Sequence, residues 1–176
     1  MRIEVENLTE AGEPFSHTYG PQEVELDEEG ARVTSETAVT GRARRKGEEV
    51  RLRGTIRTEV ELSCARCLAP KPTPLEVEFD TSFIPQSAAA RETENVELLP
   101  ENMGLAAFEG DAVDLDELVR EQIVLALPTR HLCREDCKGL CPTCGADLNA
   151  EQCSCQTGEV DPRWSALADW NKDRES

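Results

Sequence analysis

Residues 50–62 alternate strictly between two kinds of side chain. Even-numbered positions are mainly apolar, from Val50 to Leu62, whereas the odd-numbered ones are charged or polar. A period of two over this length predicts a long β-strand with one buried and one solvated face. The same rhythm recurs at Ala31, Val33, Val39, Ala43, Leu75, Val77, Phe79 and Phe83. We therefore expect an antiparallel β-sheet or a small barrel.

Three polar or proline-rich stretches separate these apolar runs. Residues 41–49 carry glycine at both sides of a basic run, which predicts the tip of a hairpin between two long strands. Pro70, Pro72 and Pro74 predict a break in the next connection. Residues 85–102 show neither helical nor strand periodicity, and this predicts a flexible loop.

Two helices are expected in the second half of the chain. Asp114 is a good N-cap, an apolar stripe follows it, and Pro128 ends the pattern, so we predict a packed helix over 114–127. Asp161-Pro162 starts a second helical pattern, with a stripe at Trp164, Leu167, Ala168 and Asn171. The predicted fold is α+β, with a β-rich main domain at 1–130 and a cysteine-rich module with the C-terminal helix at 131–176.

The charge balance restricts the partners of this chain. Its formal net charge of -17 disfavours nucleic acid and anionic membranes at long range, so binding to either requires a local basic patch. No apolar run reaches the roughly 18 residues that span a bilayer, and no secretory signal is recognisable. We expect a cytoplasmic protein without a membrane partner, in which closely spaced thiols serve metal or redox chemistry.

A dense cysteine cluster predicts a zinc module. Its six thiols fall within 23 positions, at Cys133, Cys137, Cys141, Cys144, Cys153 and Cys155. Cys141 and Cys144 form a Cys-x-x-Cys turn followed by Gly145, the arrangement that aims two sulfurs at one ion. Tetrahedral zinc takes four ligands, so we favour one ion with two spare thiols over two ions with bridging sulfurs; His131 is a further candidate. Saturated coordination leaves no open catalytic position.

Cys64 and Cys67 form a second Cys-x-x-Cys pair at the end of the long predicted strand. One pair supplies only two of the four ligands that zinc needs. Three interpretations stay open: a knuckle that shares a site with the C-terminal thiols, a redox dithiol, or a structural turn.

Seven of the 19 basic residues lie within 16 positions, at Arg42, Arg44, Arg45, Lys46, Arg51, Arg53 and Arg57. This cluster is either a solvated hairpin or a hairpin that faces RNA phosphates. Few aromatic residues lie nearby, so base stacking is not predicted. His17 and His131 lie beside no nucleophile arrangement, and no glycine-rich phosphate loop occurs. We expect neither an enzyme nor a small-molecule substrate.

Six motifs stand out together, at 63–67, 114–128, 137–145, 147–149, 153–155 and 161–163. Taken together they resemble the YceD family, whose members are called large ribosomal RNA subunit accumulation proteins. The resemblance implies a cytoplasmic, non-enzymatic factor that supports synthesis, processing or stability of 23S ribosomal RNA. Its implied partners are ribosomal RNA or a pre-50S particle, together with ribosomal proteins.

Two other functions compete with direct RNA contact. In the first, the chain is a zinc-bearing protein-interaction adaptor that uses Trp164, Leu167 and the metal module as a partner surface. In the second, the thiols form a redox switch, which requires reversible disulfides in place of bound metal.

Overall fold

The computed structural model of the chain describes residues 1–93, 105–155 and 163–164. These ranges contain eight strands, two α-helices and a short 3-10 turn at Val5–Asn7. The strands are β1 (Arg2–Glu4), β2 (Glu13–Tyr19), β3 (Ala31–Val33), β4 (Thr37–Lys46), β5 (Glu49–Ser63), β6 (Pro70–Pro85), β7 (Leu105–Phe108) and β8 (Ala112–Asp114). The helices are α1 (Gln86–Thr93) and α2 (Leu115–Ala126).

A six-stranded sheet forms the main layer, in the order β2-β4-β5-β6-β7, with β3 paired to the far end of β5. All of its pairs are antiparallel except β6 and β7, which run parallel. Parallel neighbours need a long crossover connection, and the segment between β6 and β7 provides it. The predicted antiparallel sheet is thus confirmed for most pairs, and no pairing of described strands closes it into a barrel.

The buried face of the sheet carries the hydrophobic core. Val50, Leu52, Ile56 and Val60 on β5 are completely inaccessible to solvent, as the alternation predicts. They belong to one cluster with the buried residues of α2, which are Leu115, Leu118, Val119 and Ile123. Each such side chain stabilises the fold by about 1.5 to 3 kcal/mol. The sheet and α2 therefore share one core.

Helix α2 follows the sequence prediction closely. The Asp114 carboxylate accepts the main-chain N–H of Asp116 at 2.9 Å, which satisfies one of the unpaired amides at the helix start. The helix ends at Ala126, two residues before Pro128. At its first turn, the Tyr19 hydroxyl donates to the Asp116 carboxylate at 2.7 Å and ties α2 to β2.

The hairpin tip is shorter than the sequence predicted. Residues 41–46 belong to β4 and residues 49 onward to β5, so the turn is Gly47 and Glu48 alone. Gly47 has a φ of +64°, a conformation that tight turns favour. The basic run consequently lies on paired strands and not on a loop.

The prolines at 70, 72 and 74 do not break the connection, contrary to the prediction. They lie in β6, opposite Ser63, Glu61 and Glu59 of β5. Cys64 N–H donates to the Ala69 carbonyl, and hydrogen-bonded pairs alternate with non-hydrogen-bonded ones along an antiparallel ladder. The pairs that contain Pro70, Pro72 and Pro74 are therefore non-hydrogen-bonded, and the proline nitrogens face an edge that β7 leaves unpaired, since β7 pairs only with residues 82–85. The three prolines therefore remove no hydrogen bond from the β5–β6 ladder.

The loop predicted at 85–102 is wrong in its first part. Pro85 ends β6, and residues 86–93 form α1; the rest of that loop, 94–102, lies outside the described residues. The C-terminal helix predicted from residue 161 also lies outside them, apart from residues 163 and 164. Among the described helices, none has the length and apolar character that a membrane crossing requires.

Candidate metal centres and basic face

The turn between β5 and β6 presents the sulfurs of Cys64 and Cys67. The Cys64 main-chain N–H donates to the Ala69 carbonyl at 3.0 Å, and the Leu68 N–H donates back to the Cys64 carbonyl at 2.9 Å. Leu68 has a φ of +60°, a left-handed conformation that is rare for a residue with a side chain. Such a compact turn directs both sulfurs to one side.

Main-chain contacts bring Cys133 and Cys137 to this turn. Ala65 N–H donates to the His131 carbonyl at 2.8 Å, and Leu140 N–H donates to the Arg66 carbonyl at 3.0 Å. The Arg66 guanidinium also donates to the Cys137 carbonyl at 2.6 Å. Cys64, Cys67, Cys133 and Cys137 thereby form one cluster, the first thiol group.

Cys141, Cys144, Cys153 and Cys155 form the second thiol group. Its Cys-x-x-Cys turn repeats the bonds of the first: Cys141 N–H donates to the Ala146 carbonyl at 2.8 Å, and Gly145 N–H donates to the Cys141 carbonyl at 2.9 Å. Gly145, with a φ of +75°, occupies the position that Leu68 takes in the first turn. The two turns are thus equivalent in backbone geometry.

Both thiol groups match the needs of a tetrahedral metal ion. The four sulfurs of each group lie within 4.8 Å of one another. In the first group, the Cys64 and Cys137 sulfurs are 3.8 Å apart and those of Cys67 and Cys133 are 3.7 Å apart. Zinc–sulfur bonds of about 2.3 Å at tetrahedral angles place sulfurs about 3.8 Å apart. Four soft thiolate donors in this arrangement suit Zn²⁺ or an iron–sulfur centre.

Hydrogen bonds lower the pKa of one thiol in each group and so favour its ionised form. Main-chain contacts, with Cys133 the strongest, lower the pKa of Cys64 to about 5. Main-chain contacts with Cys144 and Thr143 lower the pKa of Cys141 to about 6. A thiolate makes ionisation of its neighbours harder. Burial and neighbouring thiols accordingly raise the pKa of Cys133 to about 12. A cation would offset this repulsion, so both groups suit a bound cation.

The thiol geometry differs from the arrangement favoured from the sequence. The six downstream cysteines divide between two groups, and the shared-knuckle interpretation of Cys64 and Cys67 matches the geometry. His131 belongs to neither group, although its Nε2 is buried without a hydrogen-bond partner among the described residues. The first group also crosses the predicted domain boundary at 130. The sequence offered no direct signal for this pairing, because 66 positions separate Cys67 from Cys133.

A polar network lies between the two thiol groups. The Asn149 side-chain oxygen accepts the Lys138 main-chain N–H and the Arg134 guanidinium, both at 2.8 Å. Its side-chain nitrogen donates to the Asp147 carboxylate at 2.7 Å and to the Cys137 sulfur at 3.5 Å. Sequence inspection assigned no role to Asn149, since its contacts appear only in three dimensions.

The sheet face opposite the core, called here the outer face, carries most of the predicted basic cluster. Arg42 lies opposite Arg53, and Arg44 lies opposite Arg51, on the paired strands β4 and β5. Lys46 is exposed at the end of β4. Together with Glu10 and Asp80, the four arginines line a shallow depression of about 280 Å³.

The structure separates paired from unpaired basic residues. Arg51 forms a two-pronged ion pair with Asp80, with one contact at 2.7 Å, and it holds the pKa of that carboxyl below its usual range. Arg57 pairs with Glu76 at 2.6 Å, and Arg45 donates to the Gly47 carbonyl at 2.9 Å. Three guanidinium groups of the cluster make neither an ion pair nor a hydrogen bond in the described part of the chain; these are Arg42, Arg44 and Arg53.

These observations define a β-sheet protein that combines two four-cysteine groups with a basic outer face. The chain belongs to the YceD family: a profile of the family described as large ribosomal RNA subunit accumulation protein YceD matches residues 52–170. The chain is 31% identical over 154 residues to the uncharacterised protein YlbN of Bacillus subtilis, which covers 87% of this chain and 84% of YlbN.

Other relatives are longer than this chain. An uncharacterised protein of Mycobacterium tuberculosis is 32% identical over 123 residues, covering 69% of this chain and 56% of the relative. The chloroplastic large ribosomal RNA subunit accumulation protein YCED homolog 1 of Zea mays is 28% identical over 158 residues, covering 77% and 54%. The chain thus spans about half the length of these two relatives. No solved structure matches the chain.

Proposed function

We propose that this chain is a non-enzymatic, cytoplasmic factor that supports the synthesis, processing or stability of 23S ribosomal RNA during large-subunit assembly. The membership of the YceD family and the names of its chloroplastic relatives support a role in ribosomal RNA accumulation. The observation that carries the RNA contact is the set of unpaired guanidinium groups on the outer face. Its partners are ribosomal RNA or a pre-50S particle with ribosomal proteins, and neither a membrane nor a small-molecule substrate.

The outer face favours phosphate contacts over base recognition. Arg42, Arg44 and Arg53 are exposed on paired strands. Among the described residues they have no ion pair that must be broken before they contact a phosphate. Guanidinium groups bind phosphate oxygens in a two-pronged geometry. No aromatic side chain lies on this face of β2, β4, β5 or β6 in the described residues, so single-strand stacking is not supported. The high negative charge elsewhere disfavours indiscriminate RNA binding.

Replacement of Arg42, Arg44 and Arg53 by alanine tests this contact. Affinity for RNA falls as salt rises, and each lost phosphate contact makes the slope of log affinity against log salt shallower by about 0.7 to 0.9. The triple variant should therefore bind ribosomal RNA more weakly, with a slope reduced by about 2 to 3 units. A filter-binding titration at several salt concentrations measures both quantities.

A matched control removes the same charge from elsewhere. Arg120 lies on the exposed side of α2, and Arg2 and Arg130 are exposed outside the six-stranded sheet. Replacing these three by alanine should leave most of the affinity and of the salt slope intact. If both triple variants bind alike, the proposed contact on the outer face is refuted.

We further propose that each thiol group binds one zinc ion. Four cysteine ligands saturate a tetrahedral ion, which then has no open position for catalysis and acts structurally. The ions would fix residues 131–155 to the sheet, since few large apolar side chains are available there to form a core. Elemental analysis with native mass spectrometry should find two zinc ions per chain; a folded protein without metal would refute this assignment.

A second candidate function is a protein-interaction adaptor without direct RNA contact. One exposed aromatic side chain favours it, because Trp164 is 60% exposed. Tryptophan is enriched among the residues that dominate binding at protein interfaces. Affinity capture from RNase-treated lysate separates the two functions, because the adaptor retains its ribosomal-protein partners and an RNA-bound factor loses them.

A further inference from the structure

The orientation of the Asn149 amide is fixed by its neighbours. Its oxygen faces a main-chain N–H of Lys138 and the guanidinium of Arg134, and both of these groups can only donate. Its nitrogen faces the Asp147 carboxylate, which accepts. The N–H that remains is therefore directed at the Cys137 sulfur, 3.5 Å away. Asn149 thus donates a hydrogen bond to a sulfur of the first thiol group, the kind of contact that orients a metal ligand.

The position of Asn149 depends on the second thiol group. It lies in the stretch between Cys144 and Cys153, which both belong to that group. Main-chain bonds shape the same stretch: Leu148 N–H donates to the Gly139 carbonyl at 3.0 Å, and Cys141 N–H donates to the Ala146 carbonyl. Because a metal ion would hold both ends of this stretch, its binding would also place Asn149.

We propose that Asn149 is a positioning residue that couples the two thiol groups, so that an ion in the second group strengthens metal binding in the first. This inference rests on the proposed zinc sites and adds to them a dependence of one site on the other. Partners of this kind that hydrogen-bond a metal ligand change metal affinity by about 10- to 100-fold. The coupling is reciprocal by thermodynamic necessity.

Thiol protection at controlled free zinc measures the affinity of each group separately. The full-length protein is equilibrated in chelator-buffered zinc and treated with an alkylating reagent, and the modified peptides are quantified by mass spectrometry. Half-protection of Cys64 and Cys67 reports the first group. Replacing Cys153 and Cys155 by serine disables the second group and should raise the zinc concentration for half-protection at least tenfold.

Asn149→Ala should raise the zinc concentration for half-protection of Cys64 and Cys67 by a similar factor in the chain with all eight cysteines. Combined with the two serine substitutions, Asn149→Ala should add nothing further, because both changes remove the same interaction. Asn149→Asp keeps the acceptor oxygen but loses the N–H donor, so it should bind zinc at least as weakly as Asn149→Ala. Asn7→Asp makes the same change at an exposed position in the 3-10 turn and should leave protection unchanged.

The outcomes distinguish this inference from the proposed zinc sites. If the first group keeps its affinity when the second is disabled, or if the two changes add, the coupling is overturned while both zinc sites stand. If the unmodified protein binds no zinc, the sites and the coupling fail together. A second readout separates a lost hydrogen bond from lost folding. In protein loaded with Co²⁺ in place of zinc, Asn149→Ala should shift the sulfur-to-cobalt charge-transfer band of the first group, whereas loss of the fold alone would not produce such a shift.

Discussion

Two glycines near the thiol groups provide a matched pair for testing how the backbone prepares the metal sites. Gly139 and Gly145 have φ values of +79° and +75°, so alanine is strained at either position. A Cβ at Gly145 would meet nothing within 4 Å, whereas one at Gly139 would lie 2.9 Å from the Arg66 carbonyl oxygen. The two substitutions therefore share the same backbone strain and differ in whether the new methyl group meets Arg66.

The expected magnitudes follow from these contacts. A left-handed conformation costs about 1 to 2 kcal/mol with a side chain, and the stiffer unfolded chain offsets about 0.5 to 1 kcal/mol of it. Gly145→Ala should thus lose about 1 kcal/mol. Gly139→Ala must also displace the Arg66 carbonyl, which weakens the bond from Leu140 N–H and costs about 1 kcal/mol more.

Because metal binding and local folding are coupled, these losses should appear as weaker zinc affinity. At 1.4 kcal/mol per factor of ten, Gly145→Ala should weaken binding by about 5-fold and Gly139→Ala by about 30-fold. Thiol protection in buffered zinc measures both. Equal effects of the two substitutions would contradict the contact between Gly139 and Arg66.

Three further predictions concern the core, the outer face and the metal. Thr37→Val should destabilise the fold by about 1 to 3 kcal/mol in urea unfolding, because it leaves the buried Thr58 hydroxyl without its 2.8 Å partner; adding Thr58→Val should restore most of the loss. Asp80→Asn should free Arg51, increase ribosomal RNA affinity and steepen the salt slope by about 1; unchanged binding would exclude Arg51 from the contact. A strong zinc chelator should expose all eight thiols to Ellman's reagent but preserve the strand signal in circular dichroism, because the hydrophobic core cluster includes no cysteine.

Asp80 also gives a pH dependence with a definite sign. Arg51 lowers the native pKa of this carboxyl, so the pair stabilises the fold above the ordinary aspartate pKa of about 3.9. That stabilisation is lost as the pH falls through the lower native pKa. Asp80→Asn should therefore flatten the acid limb of a stability profile in this range, and only slightly, since the pair is largely exposed.

Local patterns predicted the elements whose environment is uniform along their length. Strand β5 has one face against the core throughout, so its period of two was sufficient to identify it. Helix α2 carries its own start signal at Asp114 and a stop before Pro128. The prolines of β6 misled the prediction, because proline is tolerated in a strand only where the outer edge is unpaired, and pairing is a property of the whole sheet.

For the thiols and the arginines, too, the local patterns were visible in the sequence, whereas the contacts between remote segments were not. The sequence by itself determined that the chain has two Cys-x-x-Cys turns, a surplus of thiols after residue 133 and a basic run between residues 42 and 57. Only the tertiary structure decided that Cys64 and Cys67 join Cys133 and Cys137, and that Asp80 pairs with one arginine of the outer face. The physical reason is distance: spacing along the chain governs contacts within a turn, but contacts between remote segments depend on how the sheet brings them together.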